Sequence, residues 1–489
     1  MAPFFRLHFR RAHEPMSIRT LLAILAVAAY LLLVPIPVAV LVDRIGGHDI
    51  ARILQLGLGL LCALGLAFDA HRRSSAPAET KTWVAAGLVS LLALASTVNA
   101  PDLGMAAREA GLFAGMAAVA LVVARLPAPG WAPCVLVSAA SATYVAVILI
   151  LIAMGYAAGQ PLNRAELFVG YDNYRFFNHV QSAALPLTVL AATWLPQGAR
   201  SRKLAWFAAA GGFALLLAVV GRGTLLGLVV GALALAAVFG RSAAKVLKNL
   251  LLAALLGLLL FLLVFWLLPL LTGGNAEFSE GYYGARMGSV EARLYLWRIA
   301  VADIAQSPWL GIGPMHYALV PNGEAAHPHN IYLQIAAEWG LPMLILLITL
   351  GALALRSMAM RIRRCGDEHQ RDCGIGLWFA CVAIAIDGLV SGNFVMPVSQ
   401  VWIAFTVGWA MAWCAGQAPA DKTTPQRRAG MSGMFSAQQI VAIGLLASQV
   451  TLIWSAWPEI MNLDNHVNQA MQRAPSPTMN PRFWSHGWF

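Results

Sequence analysis

The feature that most constrains this sequence is its succession of apolar runs, each close to the length at which a helix crosses a lipid bilayer. Crossing takes about 20 mostly apolar residues, and about thirteen runs of the 489-residue chain approach that length. Only 11% of the residues are charged, whereas soluble domains carry about 25%. Because backbone groups in lipid must be hydrogen-bonded within their own segment, runs this rich in Leu and Ala predict helices rather than barrel strands. The sequence therefore predicts an all-α, polytopic membrane protein.

The runs also predict a topology. They cover approximately residues 18–42, 51–70, 82–98, 107–124, 134–155, 181–196, 204–220, 223–239, 250–271, 331–355, 375–392, 398–415 and 437–456. Three arginines precede the first run, Arg19 stands at its start, and all five lysines fall in loops on that same side. Because cytoplasmic loops collect Lys and Arg, we predict a cytoplasmic N-terminus and, after thirteen spans, a C-terminus on the opposite side. This asymmetry accounts for the net charge of +11 without a nucleic-acid partner.

The long segment between the ninth and tenth runs, residues 272–330, is predicted to be more than a connector. Loops of this length in compact proteins are usually functional or disordered, and this one contains apolar and aromatic residues that can fold against the membrane domain. The apolar pattern around Trp297 predicts an amphipathic helix that ends near Ser307-Pro308. We therefore divide the chain into a membrane domain, residues 1–456, whose candidate site is this loop, and a short outer tail, residues 457–489.

The same loop carries the side chains best suited to chemistry on a phosphorylated substrate. Arg293 and Arg298 offer guanidinium groups, which match phosphate oxygens in bidentate geometry and stay charged at any working pH. His327 and His329 offer imidazoles, which titrate near neutral pH and can move a proton. One alternative is that outer arginines anchor helices among lipid headgroups. Another is that the His-x-His pair binds zinc, for which a third ligand is not apparent. Asn330 is predicted to cap the next helix.

Three further features each keep more than one interpretation. Asp387 lies within the eleventh run, where an ionisable group is a functional candidate, but it is close enough to the outer boundary for a structural pair with an outer arginine. Asn178 and His179 begin the sixth helix, and capping by Asn178 is the alternative to a role in binding. The tail from Arg482 to Phe489 is aromatic and basic, which is typical of docking at the membrane interface. No chemical role follows for it from the sequence.

The order of several motifs resembles the O-antigen ligase and polymerase superfamily, which includes bacterial protein O-oligosaccharyltransferases. The motifs are Arg293-x-x-x-Trp297, Pro308-Trp-Leu-Gly311-x-Gly313, His329-Asn330-x-x-Leu333 and Glu338-x-Gly340. Gly221-Arg222-Gly223-Thr224 is similar to the family's Ser-Arg-Gly motif, with glycine in place of the serine. Arg175-Phe-Phe-Asn178-His179 resembles its Asn-containing segment, without the usual Pro before Asn. The resemblance covers about residues 170–345.

This resemblance implies a GT-C-like membrane glycosyltransferase in a bacterial inner membrane, with the long loop and the tail in the periplasm. It implies an undecaprenyl-diphosphate-linked glycan as donor and an inverting transfer that needs neither metal nor cofactor. By position in the motifs, we expect His329, Arg293 and Arg222 to be catalytic. The expected substrate-binding residues are Arg298, Arg175, His327, Asn178, Trp297, Asn330 and Glu338.

Several acceptors are compatible with this chemistry. Lipid A–core as acceptor gives an O-antigen ligase of lipopolysaccharide biosynthesis, which we place first because the tail is short. A secreted protein gives an O-oligosaccharyltransferase, and another repeat unit gives a polymerase. The rival from another class is a lipid or solute transporter, which predicts internal repeats and charges near the middle of several spans. The candidate arginines of this chain lie in outer loops instead, which favours chemistry at the membrane surface.

Overall fold

Every element in the described part of the chain is helical, as the apolar runs predict. The computed structural model describes residues 17–34, 46–72, 80–127, 130–159, 167–272, 290–417, 437–463 and 482–485. Its α-helices are α1 Ile18–Leu33, α2 Gly47–Arg72, α3 Thr80–Asn99, α4 Leu103–Val123, α5 Ala132–Ala157, α6 Tyr174–Trp194, α7 Arg200–Ala218, α8 Arg222–Phe239, α9 Ala244–Leu262, α10 Leu268–Thr272, α11 Val290–Gln306, α12 Ile331–Trp339, α13 Leu341–Arg364, α14 Glu368–Asp387, α15 Pro397–Gly416 and α16 Ala437–Ile460. A π-helical turn, Leu263–Leu267, joins α9 to α10. The last long helix therefore ends four residues beyond the boundary of 456 that we predicted for the membrane domain.

Eight helical stretches of the described residues are long and apolar enough to cross a membrane. They are Gly47–Asp69, Thr82–Asn99, Leu103–Val123, Ala132–Ala157, Arg222–Leu271, Leu341–Arg364, Pro397–Gly416 and Gln438–Ile460. The polytopic, all-α class is thus confirmed. The count of thirteen and the orientation of the termini stay predictions.

Helices α6 and α14 are absent from those eight stretches, yet they form the centre of the bundle. In α6, every residue from Phe177 to Trp194 is buried, and α14 is buried along most of its length. The two helices pack against each other, and α6 also packs against α5, α7 and α15. A helix enclosed by protein can carry polar residues that a lipid-facing helix cannot, which explains why hydropathy underrates both. Several polar candidates for function lie near the ends of these central helices.

The tenth run, residues 331–355, was expected to be one helix, and the structure corrects this. It is divided at Gly340 into α12 and α13, because Gly340 has a φ of +87°, which belongs to neither helix. A Cβ at this position would collide with the backbone carbonyl of Trp309. Because Gly340 has no Cβ, the turn after α11 can pass close to the junction between α12 and α13.

The described part of the long loop begins with helix α11. Helix α11 ends at Gln306, next to the predicted Ser307-Pro308 stop. It packs on α12 through a small apolar cluster that includes Leu296, Tyr317 and Ala337. Residues 273–289 lie outside the described part of the chain. The packing of α11 on α12 therefore holds the motif residues of the described part of the loop in place.

The tail differs from the expectation of docking at the membrane interface. Its four described residues, Arg482 to Ser485, are inserted into the protein, and Phe483 and Trp484 are fully buried. Trp484 donates its indole N–H to Glu459 of α16 at 2.6 Å. Aromatic rings with one polar group suit an interior position when that group finds a partner. The aromatic pattern is thus explained by burial against α2, α4 and α16.

Candidate active site

The two histidines of the long loop are held by the loop's own motif residues. Trp297 of α11 donates its indole N–H to the carbonyl of Pro328 at 3.0 Å, and the backbone N–H of His329 donates to Nδ1 of His327 at 3.2 Å. The two imidazole rings lie 4.2 Å apart, centre to centre. Because Nδ1 of His327 accepts, its ring proton in the neutral form is on Nε2.

His329 itself has an unusual backbone. Its φ of +51° lies in the left-handed region, which non-glycine residues rarely adopt. Next to it, Asn330 caps α12, as predicted, by accepting from the backbone N–H groups of Tyr332 and Leu333. The N–H of Ile331 donates to the carbonyl of Gly388 at 2.9 Å. The surrounding contacts therefore fix a strained histidine against the outer end of α14.

The segment Gly221 to Thr224 begins α8 between the two central helices. Thr224 donates its hydroxyl to the carbonyl of Asn178 at 2.9 Å. A Cβ at Gly221 would lie 3.0 Å from the side-chain oxygen of Asn178 and would collide with Leu216. This close approach is a physical reason for glycine where the related motif has serine. Arg222 is exposed at the first position of α8, where the helix dipole adds to its positive charge.

Three of the predicted cations come together from three different helices. The pKa of Arg293 is lowered by burial first and then by the positive charges of Arg175 and Arg222, while the carboxylate of Asp387 opposes this effect. Arg293 is therefore within electrostatic range of Arg175, Arg222 and Asp387. These groups come from four helices, α6, α8, α11 and α14, and a Cβ at Gly223, next to Arg222, would lie 2.6 Å from the carboxylate of Asp387.

The histidines of this cluster are neutral, which corrects the expectation that they titrate near neutral pH. Burial lowers the pKa of His329 to about 3, and His179, Arg293 and Arg175 lower it further. Burial first, and then electrostatic interactions with His329, Arg482 and His179, also hold the pKa of His327 well below its usual value. A neutral imidazole can accept a proton, whereas an imidazolium cannot.

Two residues of the site were underrated from the sequence, His179 and Asp387. A Cβ at Gly392 would lie 3.1 Å from Nε2 of His327 and 3.5 Å from Nε2 of His179, so both rings face the same point of the chain. Asp387 is fully buried, and its polar neighbours are the hydroxyl groups of Ser182 and Ser391 and the charge of Arg293. The intramembrane carboxylate in the sequence was the available signal for Asp387; nothing in the sequence pointed to Gly392.

Asn178 is a binding candidate rather than a cap. Helix α6 begins at Tyr174, and its cap is Asn173, which accepts from the N–H of Arg175 at 2.9 Å. Asn178 is therefore one turn inside the helix, and capping by it is wrong. Its buried side-chain oxygen lacks a hydrogen-bond partner in the described part of the protein. An unpaired buried acceptor beside Gly221 is available to a donor from outside the chain.

The other predicted binding residues are either exposed or in contact with the protein. Arg298 is exposed and follows Arg293 by five residues, about 140° around the helix, so it projects from another face of α11. Glu338 directs its carboxylate at Arg482, at 2.5 Å, and at the N–H of Tyr317, at 3.1 Å. Trp297 and Asn330 use their polar atoms inside the loop, as described above. Substrate binding by these residues stays a prediction.

The described residues contain no group of three or more His, Cys, Asp or Glu placed to hold a metal ion. What they do contain, in a polytopic membrane protein, is a cluster of three arginines, three histidines and the buried carboxylate of Asp387. This combination is typical of an enzyme that binds an anionic group and moves a proton.

Comparison with known families agrees with this class. A family model described as O-antigen ligase matches residues 205–348, a stretch that contains Arg222, Arg293, His329 and Glu338. The predicted resemblance to the O-antigen ligase and polymerase superfamily is thereby confirmed. No curated protein matches the chain. The chain is accordingly similar to membrane enzymes of the glycosyltransferase or ligase type, while Arg175, His179 and Asp387 lie outside the matched stretch.

Proposed function

We propose that this protein transfers a glycan from an undecaprenyl-diphosphate donor to an acceptor hydroxyl at the periplasmic surface, with lipid A–core as the acceptor. The observation that carries the proposal is the electrostatic coupling of His329 to Arg293 and Arg175, and of Arg293 to Arg222. A lipid diphosphate is a leaving group with several negative charges, and fixed guanidinium groups stabilise the charge that develops on it. The transfer class is that of the matched family.

The arginines act on the leaving group in this mechanism. As the bond between the anomeric carbon and the phosphate oxygen breaks, its electron pair goes to that oxygen. Arg222 and Arg293 bind the diphosphate oxygens, and the positive N-terminus of α8 adds to the attraction. Because the cations are held by three packed helices before substrate binds, little reorganisation is needed at the moment of reaction.

His329 acts on the acceptor. The acceptor hydroxyl gives its proton to the unprotonated nitrogen of the imidazole, and its oxygen attacks the anomeric carbon from the side opposite the leaving group. Configuration at that carbon is inverted in a single displacement. The negative donor also offsets the charges of Arg293 and Arg175, so binding raises the pKa of His329 from its low value in the free site. The imidazole thus becomes a stronger base when substrate is present.

The buried side-chain oxygen of Asn178, which lacks a hydrogen-bond partner among the described residues, completes the site. A buried acceptor without a partner favours ligand groups that donate hydrogen bonds, and sugar hydroxyls are such donors. We assign Asn178 to the glycan or the acceptor. Transport of the donor is the alternative class, and reconstitution separates it: liposomes should show glycan transfer without translocation.

A gene deletion tests both the activity and the acceptor. Surface lipopolysaccharide and secreted glycoproteins are compared in the deletion strain, in the strain complemented with the wild type, and in one complemented with a His329→Asn variant. Loss of the lipopolysaccharide ladder with normal glycoproteins supports the ligase. The converse identifies a protein transferase, and single-repeat lipopolysaccharide identifies a polymerase. An unchanged surface and unchanged glycoproteins in the deletion strain would refute the proposed transfer.

A further inference from the structure

The described tail, Arg482 to Ser485, is inserted into the protein and contacts the backbone of the histidine loop at Ala326. Its Arg482 is 2% exposed, and its Phe483 and Trp484 are fully buried. The sequence separates this segment from the histidines by about 155 residues, and it lies outside the family match. A charged residue buried so deeply needs a specific reason, because desolvation of a guanidinium group is costly unless it is paired.

Arg482 joins two helices and the loop through its guanidinium group. One nitrogen, Nη2, donates to Glu338 of α12 at 2.5 Å and to Glu109 of α4 at 3.0 Å. The other terminal nitrogen, Nη1, reaches the carbonyl of Ala326 at 3.4 Å. Ala326 immediately precedes His327, so the arginine touches the backbone of the histidine loop itself.

Glu338 carries this connection further into the loop. Its second carboxylate oxygen accepts from the backbone N–H of Tyr317, and Tyr317 donates its hydroxyl to the carbonyl of Leu296 at 2.9 Å. Leu296 precedes Trp297, whose indole N–H holds Pro328 between the two histidines. Arg482 is therefore connected to both sides of the histidine pair.

A second buried arginine, Arg52 of α2, holds the tail in place. It donates to the carbonyls of Arg482, at 2.9 Å, and Phe483, at 3.0 Å. It also donates to the carbonyl of Val395 at 2.7 Å, in the turn that begins with Gly392 beside His179 and His327. Arg52 is 0% exposed. The tail backbone is thus fixed to the segment that lines the other side of the histidines.

We propose that Arg482 is a positioning residue, which holds the histidine loop in its reactive geometry through Glu338, Glu109 and the carbonyl of Ala326. The proposal rests on the proposed function for its kinetic consequence but not for its structural one. Arg482 touches no substrate in this role. Its contribution is to keep His329 within reach of the acceptor, and a misplacement of about 1 Å can cost about 100-fold in rate.

The test uses Arg482→Gln, Arg482→Lys and the control Ser485→Ala in the full chain. Ser485 belongs to the same tail segment, but its hydrogen bonds go to Asp49, away from the histidine loop. Hydrogen–deuterium exchange of the peptide around residues 322–332 reports the loop directly, and transfer kinetics report kcat and the donor KM separately. Lysine keeps the charge but cannot bind two carboxylates and a carbonyl in a planar fork.

We expect both Arg482 variants to increase exchange in the loop peptide and to lower kcat, about 100-fold for the glutamine variant, with little change in donor KM. The control should change neither. If the glutamine variant does not fold, the lysine variant carries the test. Unchanged loop exchange in a folded variant, or an equal effect of Ser485→Ala, would overturn the proposal. Increased exchange in a protein whose wild type shows no transfer would instead refute the proposed function and leave the positioning role standing.

Discussion

At the residue scale, His329 combines backbone strain with an uncharged ring. Its φ is +51°, and the nearby Val220, just before the Arg222 segment, has the same value in a β-branched residue. Strained residues persist where surrounding contacts over-determine them, and they cluster at functional sites. Here the contacts are the cap at Asn330 and the hydrogen bond from Trp297 to Pro328. Both strained positions therefore lie in the segments that carry the proposed chemistry.

Replacing His329 by Asn should abolish transfer without loss of protein. Asparagine tolerates the left-handed region better than most residues, so the loop backbone is preserved while the base is lost. We expect a decrease in kcat of about 10²- to 10⁴-fold, measured with purified enzyme and lipid-linked donor. Abundance in the membrane should match the wild type.

The matched control is His369→Asn. His369 is exposed at the first turn of α14, and its ring stacks on Trp194. The candidate site is at the other end of the same helix, at its last turn. This variant should transfer at the wild-type rate. Wild-type rates in the His329 variant would remove that residue from the mechanism.

Replacing Arg175 by Gln should shift the pH dependence of the reaction. Burial is the main cause of the low pKa of His329, and the charge of Arg175 contributes to it. Removal of a positive neighbour makes the imidazolium easier to form, so the pKa rises. We therefore expect the acidic limb of the profile of kcat/KM against pH to move to higher pH. A limb that stays in place, or moves to lower pH, would show that Arg175 does not act on His329.

At the element scale, glycines set the distances at which helices and turns cross. The turn after α11 lies on the end of α12 through hydrogen bonds from Ile312 to Ala337, at 2.8 Å, and from Leu341 to Pro308, at 2.8 Å. A Cβ at Gly223 would lie 2.6 Å from the carboxylate of Asp387, which is why α8 can begin so close to α14. The glycines of the motifs thus have a packing role within the protein.

The break at Gly340 gives a direct stability prediction. In Gly340→Ala the new methyl group meets the carbonyl of Trp309, and the backbone at φ +87° and ψ +162° lies in a region essentially restricted to glycine, which costs about 1–3 kcal/mol for another residue. We expect a lower midpoint of thermal unfolding in detergent and a loss of transfer. The control is Gly351→Ala in the middle of α13, where a Cβ meets nothing within 4 Å. Equal midpoints for the two variants would contradict this account of the break.

At the scale of the whole molecule, the histidines packed against the end of α14 should make the stability of the fold depend on pH. The folded-state pKa of His327 lies well below the usual value of about 6.5. Below that value the unfolded chain binds more protons than the folded one, so this group makes the folded state less stable as the pH falls.

His327→Asn should therefore reduce the acid sensitivity of the fold. Asparagine can still accept from the N–H of His329, but it does not titrate. Unfolding midpoints in detergent are compared at about pH 7.5 and about pH 5, and we expect a smaller decrease for the variant than for the wild type. A decrease of the same size in both proteins would show that His327 is not the group responsible.

The all-α, polytopic membrane class could be predicted from the sequence, because the length of an apolar run and its low content of charge are local properties of each segment. The sequence also determined the helix of the long loop, the cap at Asn330 and, through the order of motifs, Arg222, Arg293 and His329 as candidates. Each of these conclusions depends on neighbouring residues or on a spacing along the chain. Hydropathy alone could not show that α6 and α14 are the protein-enclosed centre, since enclosure depends on the other helices.

Which side chains of the candidate site lie close together follows from the packing of the helices and could not be predicted from the sequence. Arg175, Arg222, Arg293 and Asp387 come from four helices, and no spacing along the chain encodes their proximity. The division of the tenth run at Gly340 follows from a backbone crossing with Trp309, and the burial of Arg482 follows from carboxylates on two other helices. These contacts join residues far apart in sequence, so their energies exist only once the bundle has packed.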